Sequence, residues 1–448
     1  MRGKKVVVVG AGCAGLSATY TLKKQGVDVI ALEARKEAGG RCRNVVKNGF
    51  NISLGAVFTE PQWGTTFKYL RELNMLDHVR HNEIQRFGFW RNGRKHYIVK
   101  GSIKEMIKSL REMLSFRGLP PKAYPQLLKL GLAIKKYQRT MGNEQQNFNS
   151  LLELGNVSSE AFTLQHGGPE VLDRVISPFL GTMVLARPKD VTIAHIIALT
   201  HLMQGMCVMR DGLGSITAAL YDKVKDSVRL STPVNKIIIE NRKVRGVETN
   251  DGYIEADQVI CATDAVLAHQ LMPDLPNTMS KPLETCKYSS TYSYIFPLEK
   301  KITPRYYLSL FIPGSENSIL STIFDVAATS MDVTPPGAGM MECFTAGWHD
   351  SELAKLTENE RRRRVIQETQ KFFPDFPDEP LMTETIRYDR AINLESPGQF
   401  PAIHGLLKDH MRDVKGLYLS GEYLFLIACT EGALATGEKA ANMAIEDM

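Results

Sequence analysis

Long apolar runs are missing from this sequence. No stretch approaches the ~18 uninterrupted apolar residues of a membrane-crossing helix, so none is predicted. The opening Met-Arg-Gly-Lys-Lys and its valines imitate a signal peptide, but Val6–Val9 is too short an apolar run, and a leader is not expected. An excess of one charge is also lacking. The 55 basic and 49 acidic residues leave a net charge of +6, which does not point to nucleic acid and is compatible with attraction to an anionic membrane surface. Cysteine is sparse and scattered: Cys13, Cys42, Cys207, Cys261, Cys286, Cys343 and Cys429 form no C-x-x-C and no cluster at zinc-ligand spacing. They read as small buried thiols of a reducing cytosol, and no metal site is expected. There is no internal repeat and no low-complexity tract. An apolar fraction of 43% and a charged fraction of 23% exclude a disordered chain, a collagen and a disulfide scaffold. At roughly 100–200 residues per domain, 448 residues allow two or three domains, or one large domain with an insertion.

What is present begins with a strand, a tight turn, a helix and a second strand. Val6–Val9 is a β-branched run suited to a strand buried on both faces of a parallel sheet. Leu16–Lys24 reads as a helix and Val27–Leu32 as the next strand, one βαβ unit. Two later stretches have the same texture. In Gly212–Ala265, a helix Ser215–Val224 is followed by strands Val228–Leu230, Val234–Glu240, Val244–Thr249 and Gln258–Ala262. In Gly416–Met448, a strand Leu417–Ser420 leads to a helix from about Glu431 to the end. The regions between differ. Ser102–Phe116 is a capped amphipathic helix, Leu127–Arg139 a basic one, and residues 169–206 are helical. Residues 281–325 look strand-like, and Thr357–Phe373 is a helix with a Thr357/Glu360 capping box, its Arg361–Arg364 run being read as a solvated face.

Gly10-x-Gly12-x-x-Gly15 sits between the first strand and the first helix, the place where a dinucleotide pyrophosphate meets helix N–H groups. Gly10 permits the turn, Gly12 lets backbone approach the phosphates, and Gly15 allows close helix–strand packing. Glu33 closes the second strand, where a carboxylate accepts ribose hydroxyls and repels a 2′-phosphate, so FAD or NAD is expected rather than NADP. Gly39-Gly40-Arg41 then offers close backbone passage and a guanidinium for phosphate.

The run Glu33-Ala34-x4-Gly39-Gly40-Arg41, followed by Asn48-Gly49-Phe50 and Gly55-Ala56, resembles the N-terminal signature of the flavin amine oxidase, protoporphyrinogen oxidase and phytoene desaturase superfamily. The resemblance continues through Asp211–Ile216, with Asp211 where that family has a glycine, and through Ser231-Thr232-Pro233-Val234 and Val259–Thr263. It ends with Gly416–Tyr423 and Glu431-Gly432-Ala433-x3-Gly437. It implies an α/β flavoprotein of two domains: a discontinuous, Rossmann-like FAD domain of about 1–60, 205–270 and 400–448, and an α+β substrate domain of 61–204 and 271–399 with a helical insertion at about 102–204. FAD is the implied cofactor, held non-covalently by Gly10, Gly12, Ala14, Gly15, Glu33, Ala34, Arg35, Gly40, Arg41, Gly55, Ala56, Val234, Ala262, Gly421, Glu422, Glu431, Gly432 and Ala433.

The implied chemistry is hydride removal from a substrate C–H to the flavin. Amine oxidases of this superfamily place a lysine on the strand comparable to Tyr288–Ile295, which here has none at its centre; Lys287 stands at its margin. Tyr423 with Leu424, Phe425 and Leu426 supplies at most part of an aromatic cage. Arg390–Asn393 with Pro397-Gly398, and Ile427–Ala433, resemble desaturases and protoporphyrinogen oxidases better. The expected activity is therefore desaturation or oxidation of a small apolar or planar substrate, with oxygen or a quinone as electron acceptor. An amine or amino-acid oxidase, a flavin-dependent isomerase and a non-catalytic binder like the GDP-dissociation inhibitors stay open. Tyr292, Tyr294, Arg390 and Tyr423 are candidate cavity residues, with His195 and His201 behind them; no residue is singled out as catalytic. The basic helices leave peripheral contact with the inner membrane face open for a cytoplasmic protein, as is self-association.

Overall fold

The computed structural model describes residues 4–81, 84–101, 116–141, 148–203, 205–329 and 331–448. The helix expected at Ser102–Phe116 lies outside the described residues except for Phe116. The protein is a mixed α/β chain of two domains, each built on its own large sheet.

The first sheet is parallel. Its strands are β1 (Lys5–Val9), β2 (Asp28–Leu32), β3 (Val228–Arg229), β4 (Gln258–Cys261) and β5 (Leu417–Leu419), in the order β5-β4-β1-β2-β3. Chain segments more than two hundred residues apart therefore lie side by side. Val6 and Val8 of β1 face one apolar cluster and Val7 and Val9 another, as a strand covered on both faces requires. Helix α1 (Cys13–Lys24) and the C-terminal helix Thr430–Glu446 pack together over one face. Gly437 permits this close crossing: a Cβ there would lie 2.1 Å from the Ala14 carbonyl oxygen. A three-stranded antiparallel meander, Val234–Glu240, Lys243–Thr249 and Gly252–Glu255, is attached alongside.

The second sheet has seven strands, in the order Glu384–Tyr388, Thr291–Leu298, Gly339–Thr345, Leu320–Asp325, Tyr307–Phe311, Gln85–Arg91, Arg94–Lys100. Its outer face carries Tyr294, Phe296, Ile323, Met341 and Cys343 and is covered by helix Glu358–Phe372, whose Val365, Ile366 and Phe372 complete that core. The Thr357/Glu360 capping box is present. The solvated Arg361–Arg364 face expected from sequence needs correction at its first member. Arg361 is buried, pairs with Glu358 at 2.9 Å, donates to the Tyr294 hydroxyl at 3.1 Å and lies over the Tyr292 ring.

The helical layer contains Ala123–Gln138, Ser159–His166, Ser177–Met183 and Ile193–Leu202. Residues 169–206 are not one helical run. A π-helical turn at Leu172–Ile176 widens the helix, and the chain leaves it at 184–192, where Leu185 takes a positive φ of 56°. Ile193–Leu202 is apolar on nearly all sides and runs through the middle of this layer.

Candidate functional site

The glycine turn is built around backbone contacts that leave no room for side chains. Gly10 has φ +98°, donates its N–H to the Leu32 carbonyl at 2.8 Å, and would put a Cβ 2.9 Å from the Ala262 oxygen. A Cβ on Gly15 would fall 1.9 Å from the Gly10 oxygen. Across the turn, Gly39 donates to the Ala11 carbonyl at 2.7 Å, and a Cβ on Gly40 would stand 3.1 Å from the Gly12 Cα. The chain thus forms a bare backbone cradle between residues 10–15 and 39–40. Helix α1 opens into it with Gly12 as N-cap and no side-chain cap, so its first N–H groups have no intrahelical acceptor. Such a helix end attracts phosphate.

Glu33 is buried at the carboxyl end of β2. One oxygen accepts from Ala11 N–H at 2.8 Å and the other from Arg35 N–H at 3.0 Å. Each oxygen keeps a lone pair for a ribose hydroxyl. Ala34 and Arg35 follow on the surface, held by Ser231 N–H bonding to the Arg35 carbonyl at 2.8 Å, and Thr232 N–H does the same to Glu33. That turn leads to Val234, which opens its strand and packs against the core under the first sheet. Uncapped helix, backbone cradle and buried carboxylate fit the diphosphate and adenosine half of FAD.

On the flavin side the structure joins residues far apart in sequence. Arg41 pairs with Glu422 at 2.5 Å and donates to the Ala391 carbonyl at 2.8 Å. Burial works against the Arg41 charge, but Glu422 overrides it and holds the guanidinium firmly protonated. Ala56 N–H donates to the Arg41 carbonyl at 3.0 Å, and Gly55 passes so close that a Cβ would lie 2.2 Å from the same oxygen. Gly421 is held through Thr436, and a Cβ on Gly432 would meet the Phe425 ring at 2.9 Å. Ala14 is buried at the start of α1, and Ala433 bonds back to the Cys429 carbonyl. Glu431 turns away from this cluster: its carboxylate accepts from Thr65 N–H at 2.9 Å and Thr66 N–H at 2.7 Å, capping helix Gly64–Glu72.

Glu422 has a second acid near it. Glu395 is buried, and burial, reinforced by Glu422, pushes its carboxyl well above the usual range. Arg41 is therefore the cation that faces Glu422 in this cluster. Arg41→Met is expected to destabilise the fold by about 2 kcal/mol, below the scale for stripping one partner from a fully buried ion pair because the Arg41 side chain is one-third exposed. Arg41→Met/Glu422→Gln should recover more than half of that. Urea unfolding of the three proteins checks this, and equal losses in both variants would show that the pair is not what matters.

The candidate cavity residues separate. Tyr292 and Tyr294 share one face of strand Thr291–Leu298, and that face is the outer one. Tyr292 lies between the guanidinium groups of Arg361 and Arg387, at 4.1 and 4.5 Å. Arg390 pairs at 2.9 Å with Asp264, which caps helix Ala265–Leu271. Tyr423 is fully buried in the core under the first sheet, and its hydroxyl has no partner among the described residues. His195 is buried too. Its Nδ1 bonds to the Leu426 carbonyl at 2.9 Å, leaving Nε2 without a partner among the described residues, and burial lowers its pKa to about 4.

The inner face of the second sheet carries residues that the sequence did not single out. Ser293 donates to Glu342 at 2.7 Å, and Phe324 and Phe344 flank them. Met203, Met206, Leu308, Phe58 and Phe87 complete an apolar cluster there. Tyr388 reaches from this face to the Leu54 carbonyl, next to Gly55.

Comparison with known proteins agrees with this geometry. The family model "Flavin containing amine oxidoreductase" matches residues 13–445. Protoporphyrinogen oxidase 2 of Arabidopsis thaliana is 30% identical over 197 residues, 43% of this chain and 35% of that protein. The zeta-carotene-forming phytoene desaturase of Myxococcus xanthus is 24% identical over 331 residues, 65% of this chain and 59% of its own length. The matches thus span about a third to three-fifths of these curated relatives. Among solved structures, the cyclohexylamine oxidase of Brevibacterium oxydans superposes with a TM-score of 0.77 at 16% identity, covering 99% of both chains, a likeness of fold.

Proposed function

The chain belongs to the family of flavin-containing amine oxidoreductases, with FAD as its cofactor, and from that premise we propose that it removes hydride from an apolar substrate, as a desaturase or a protoporphyrinogen-oxidase-like dehydrogenase does. When bound, FAD supplies the hydride acceptor. The observation that carries this reading is the inner face of the second sheet, where Phe324, Phe344, Phe58, Leu308 and Met206 come together and the strand beside them, Thr291–Leu298, contains no lysine. Such a surface binds a flat or long apolar molecule and excludes water from it. The two curated relatives named above act, by their names, on such molecules. Glu33 and the cradle hold the dinucleotide, and Arg41 with Glu422 anchors the 54–56 turn against the cofactor's far half. The rival reading, an amine or amino-acid oxidase, draws on the likeness of fold to an amine oxidase.

Anaerobic bleaching of the yellow protein tests the proposal. Porphyrinogens or polyenes should bleach the flavin and alkylamines or amino acids should not; the reverse pattern overturns the proposal. Product formation with unchanged oxidation level would make it an isomerase. A colourless protein that takes up no flavin would be a binder of the GDP-dissociation-inhibitor type. Reoxidation by oxygen against a quinone identifies the acceptor.

Peripheral membrane contact belongs to the same proposal. Among the described residues no helix is long and apolar enough to cross a membrane. Helix Ala123–Gln138, however, exposes Tyr124, Leu128 and Leu132, spaced by four and hence on one face, with Lys129, Lys135 and Lys136 around them. This pattern suits an anionic bilayer surface. Leu128→Asp/Leu132→Asp is expected to cut binding to phosphatidylglycerol vesicles at least tenfold in a flotation assay, with no loss of thermal stability. Unchanged flotation would remove the membrane from the proposal.

A further inference from the structure

Away from the flavin site, a cleft of about 420 Å³ opens between the helical layer and the ends of two interior strands of the second sheet, Tyr307–Phe311 and Leu320–Asp325. That volume falls within the range of small-molecule sites. Leu172, Pro178, Ile312 and Leu320 give it apolar walls. Arg187 and Lys189, both exposed, supply its cations, and Glu160 is the one acidic side chain lining it.

The Arg187 guanidinium lies over the Trp348 ring at 5.1 Å. A cation–π contact holds a guanidinium over the ring without using its N–H donors. Neither Arg187 nor Lys189 makes an ion pair or side-chain hydrogen bond to a described residue. An unpaired guanidinium with an ammonium two positions away suits a carboxylate, which takes parallel N–H bonds from an arginine fork.

A chain segment joins the cleft to the apolar inner face of the second sheet. Residues 184–187 run from one to the other: Leu185 packs with Tyr388, Ala391 and Phe344, whereas Ala186 and Arg187 line the cleft. Leu185 makes this switch at φ 56°, a conformation costly for a bulky residue, on the order of 1–3 kcal/mol, that persists where neighbours hold it.

We propose that this cleft is a recognition site for a carboxylate carried on an apolar body, with Arg187 and Lys189 taking the carboxylate and the body lying along the apolar walls toward Leu185. Insofar as the site serves that inner face, the inference rests on the reading of an apolar substrate given above. It adds that the substrate is an amphipathic acid.

Binding of decanoate, decan-1-ol and decylammonium to the full-length, flavin-loaded protein, followed by calorimetry, tests it. Decanoate should bind at least 30-fold more tightly than decanol. Arg187→Ala/Lys189→Ala should bring decanoate to within about threefold of decanol, and Arg187→Glu should shift preference to decylammonium. Both positions are exposed, so thermal unfolding and flavin absorbance should match the parent. Equal affinity for acid and alcohol, no binding of either, or a preference that survives the double variant overturns the site. A colourless protein that still prefers the acid would sink the redox reading and leave the site standing; a yellow one that binds acid and alcohol alike would do the opposite.

Discussion

Gly15→Ala is expected to give a colourless and destabilised protein, and Gly12→Ala a colourless but stable one. The two glycines belong to one turn and fail for different reasons. A Cβ at position 15 would lie 1.9 Å from the Gly10 carbonyl oxygen and 2.8 Å from its carbon. Gly10 cannot retreat, because its N–H is tied to Leu32 at 2.8 Å and Ala262, bonded in turn to Val9, closes the other side. Relief requires moving α1 off β1, breaking the packing of Leu16, Ala18 and Leu22, all fully buried. Overpacking of that severity costs about 3 kcal/mol or more. Gly12 is at φ −78°, a conformation alanine adopts freely, and its Cβ would find only the Gly40 Cα at 3.8 Å. The methyl group would instead stand in the backbone cradle, where the diphosphate must approach. Stability should stay within about 0.5 kcal/mol of the parent, as for changes that strain nothing. FAD affinity should fall at least a hundredfold. Visible absorbance and thermal unfolding of both variants separate the two effects. A yellow Gly12→Ala protein would mean the dinucleotide lies elsewhere.

How much of this was legible beforehand depended on whether the signal was local. Val6–Val9, the glycine turn and Glu33 lie within thirty residues, and period, spacing and chemistry all agree there; the structure brings them together as one unit. The late segments were legible through resemblance, and β4 takes its place beside β1 with β5 beside β4. Side-chain destinations set by distant partners were not. Glu431 sits in a motif that suggests the flavin, yet its carboxylate caps a helix 365 residues earlier in the chain. Arg361 belongs to a basic run typical of a wet surface, but Tyr292, Tyr294 and the Leu353 carbonyl receive it in the interior. In strand Thr291–Leu298 the alternation of side chains shows that two faces exist and cannot say which looks inward. The tyrosines take the outer face, and Ser293, between them, takes the inner one. The hairpin Gln85–Lys100 escaped notice because Arg86, Arg91, Arg94 and Lys95 dilute its apolar pattern at the sheet edge.

Ser293 leads to the second large effect, which falls on Glu342. This carboxyl is fully enclosed on the inner face of the sheet, between Ile295 and Phe324 in the strands on either side. Among the described residues its one hydrogen bond comes from Ser293, Tyr388 and Cys343 are the titratable groups near it, and no cation offsets its charge. Burial therefore raises its pKa from 4.5 to about 8. Below pH 4.5 the group is protonated in both folded and unfolded chains, and its neutral form fits the site. Above that, the unfolded chain releases the proton while the folded chain retains it until about pH 8. Stability must accordingly fall as pH rises through that window, at up to about 1.4 kcal/mol per pH unit, or on the order of 5 kcal/mol in all. Glu60, raised to about 7 by burial, adds a smaller slope of the same sign, whereas His195, lowered to about 4, acts oppositely below its normal range. Comparing parent with Glu342→Gln at each pH cancels both. Glutamine keeps an acceptor for Ser293 and cannot ionise, so the variant should be more stable than the parent at pH 8 by at least 2 kcal/mol, with the gap closing toward pH 5. Parallel curves would show that the carboxyl has found a cation or solvent. The same titration governs this face of the sheet. A neutral Glu342 keeps the inner face apolar at neutral pH, and its ionisation would place an unpaired charge beside Phe344. Binding of an apolar substrate should therefore weaken above pH 8 in the parent and hold in Glu342→Gln, so the KM of the two proteins should diverge on the alkaline side while their flavin content stays equal.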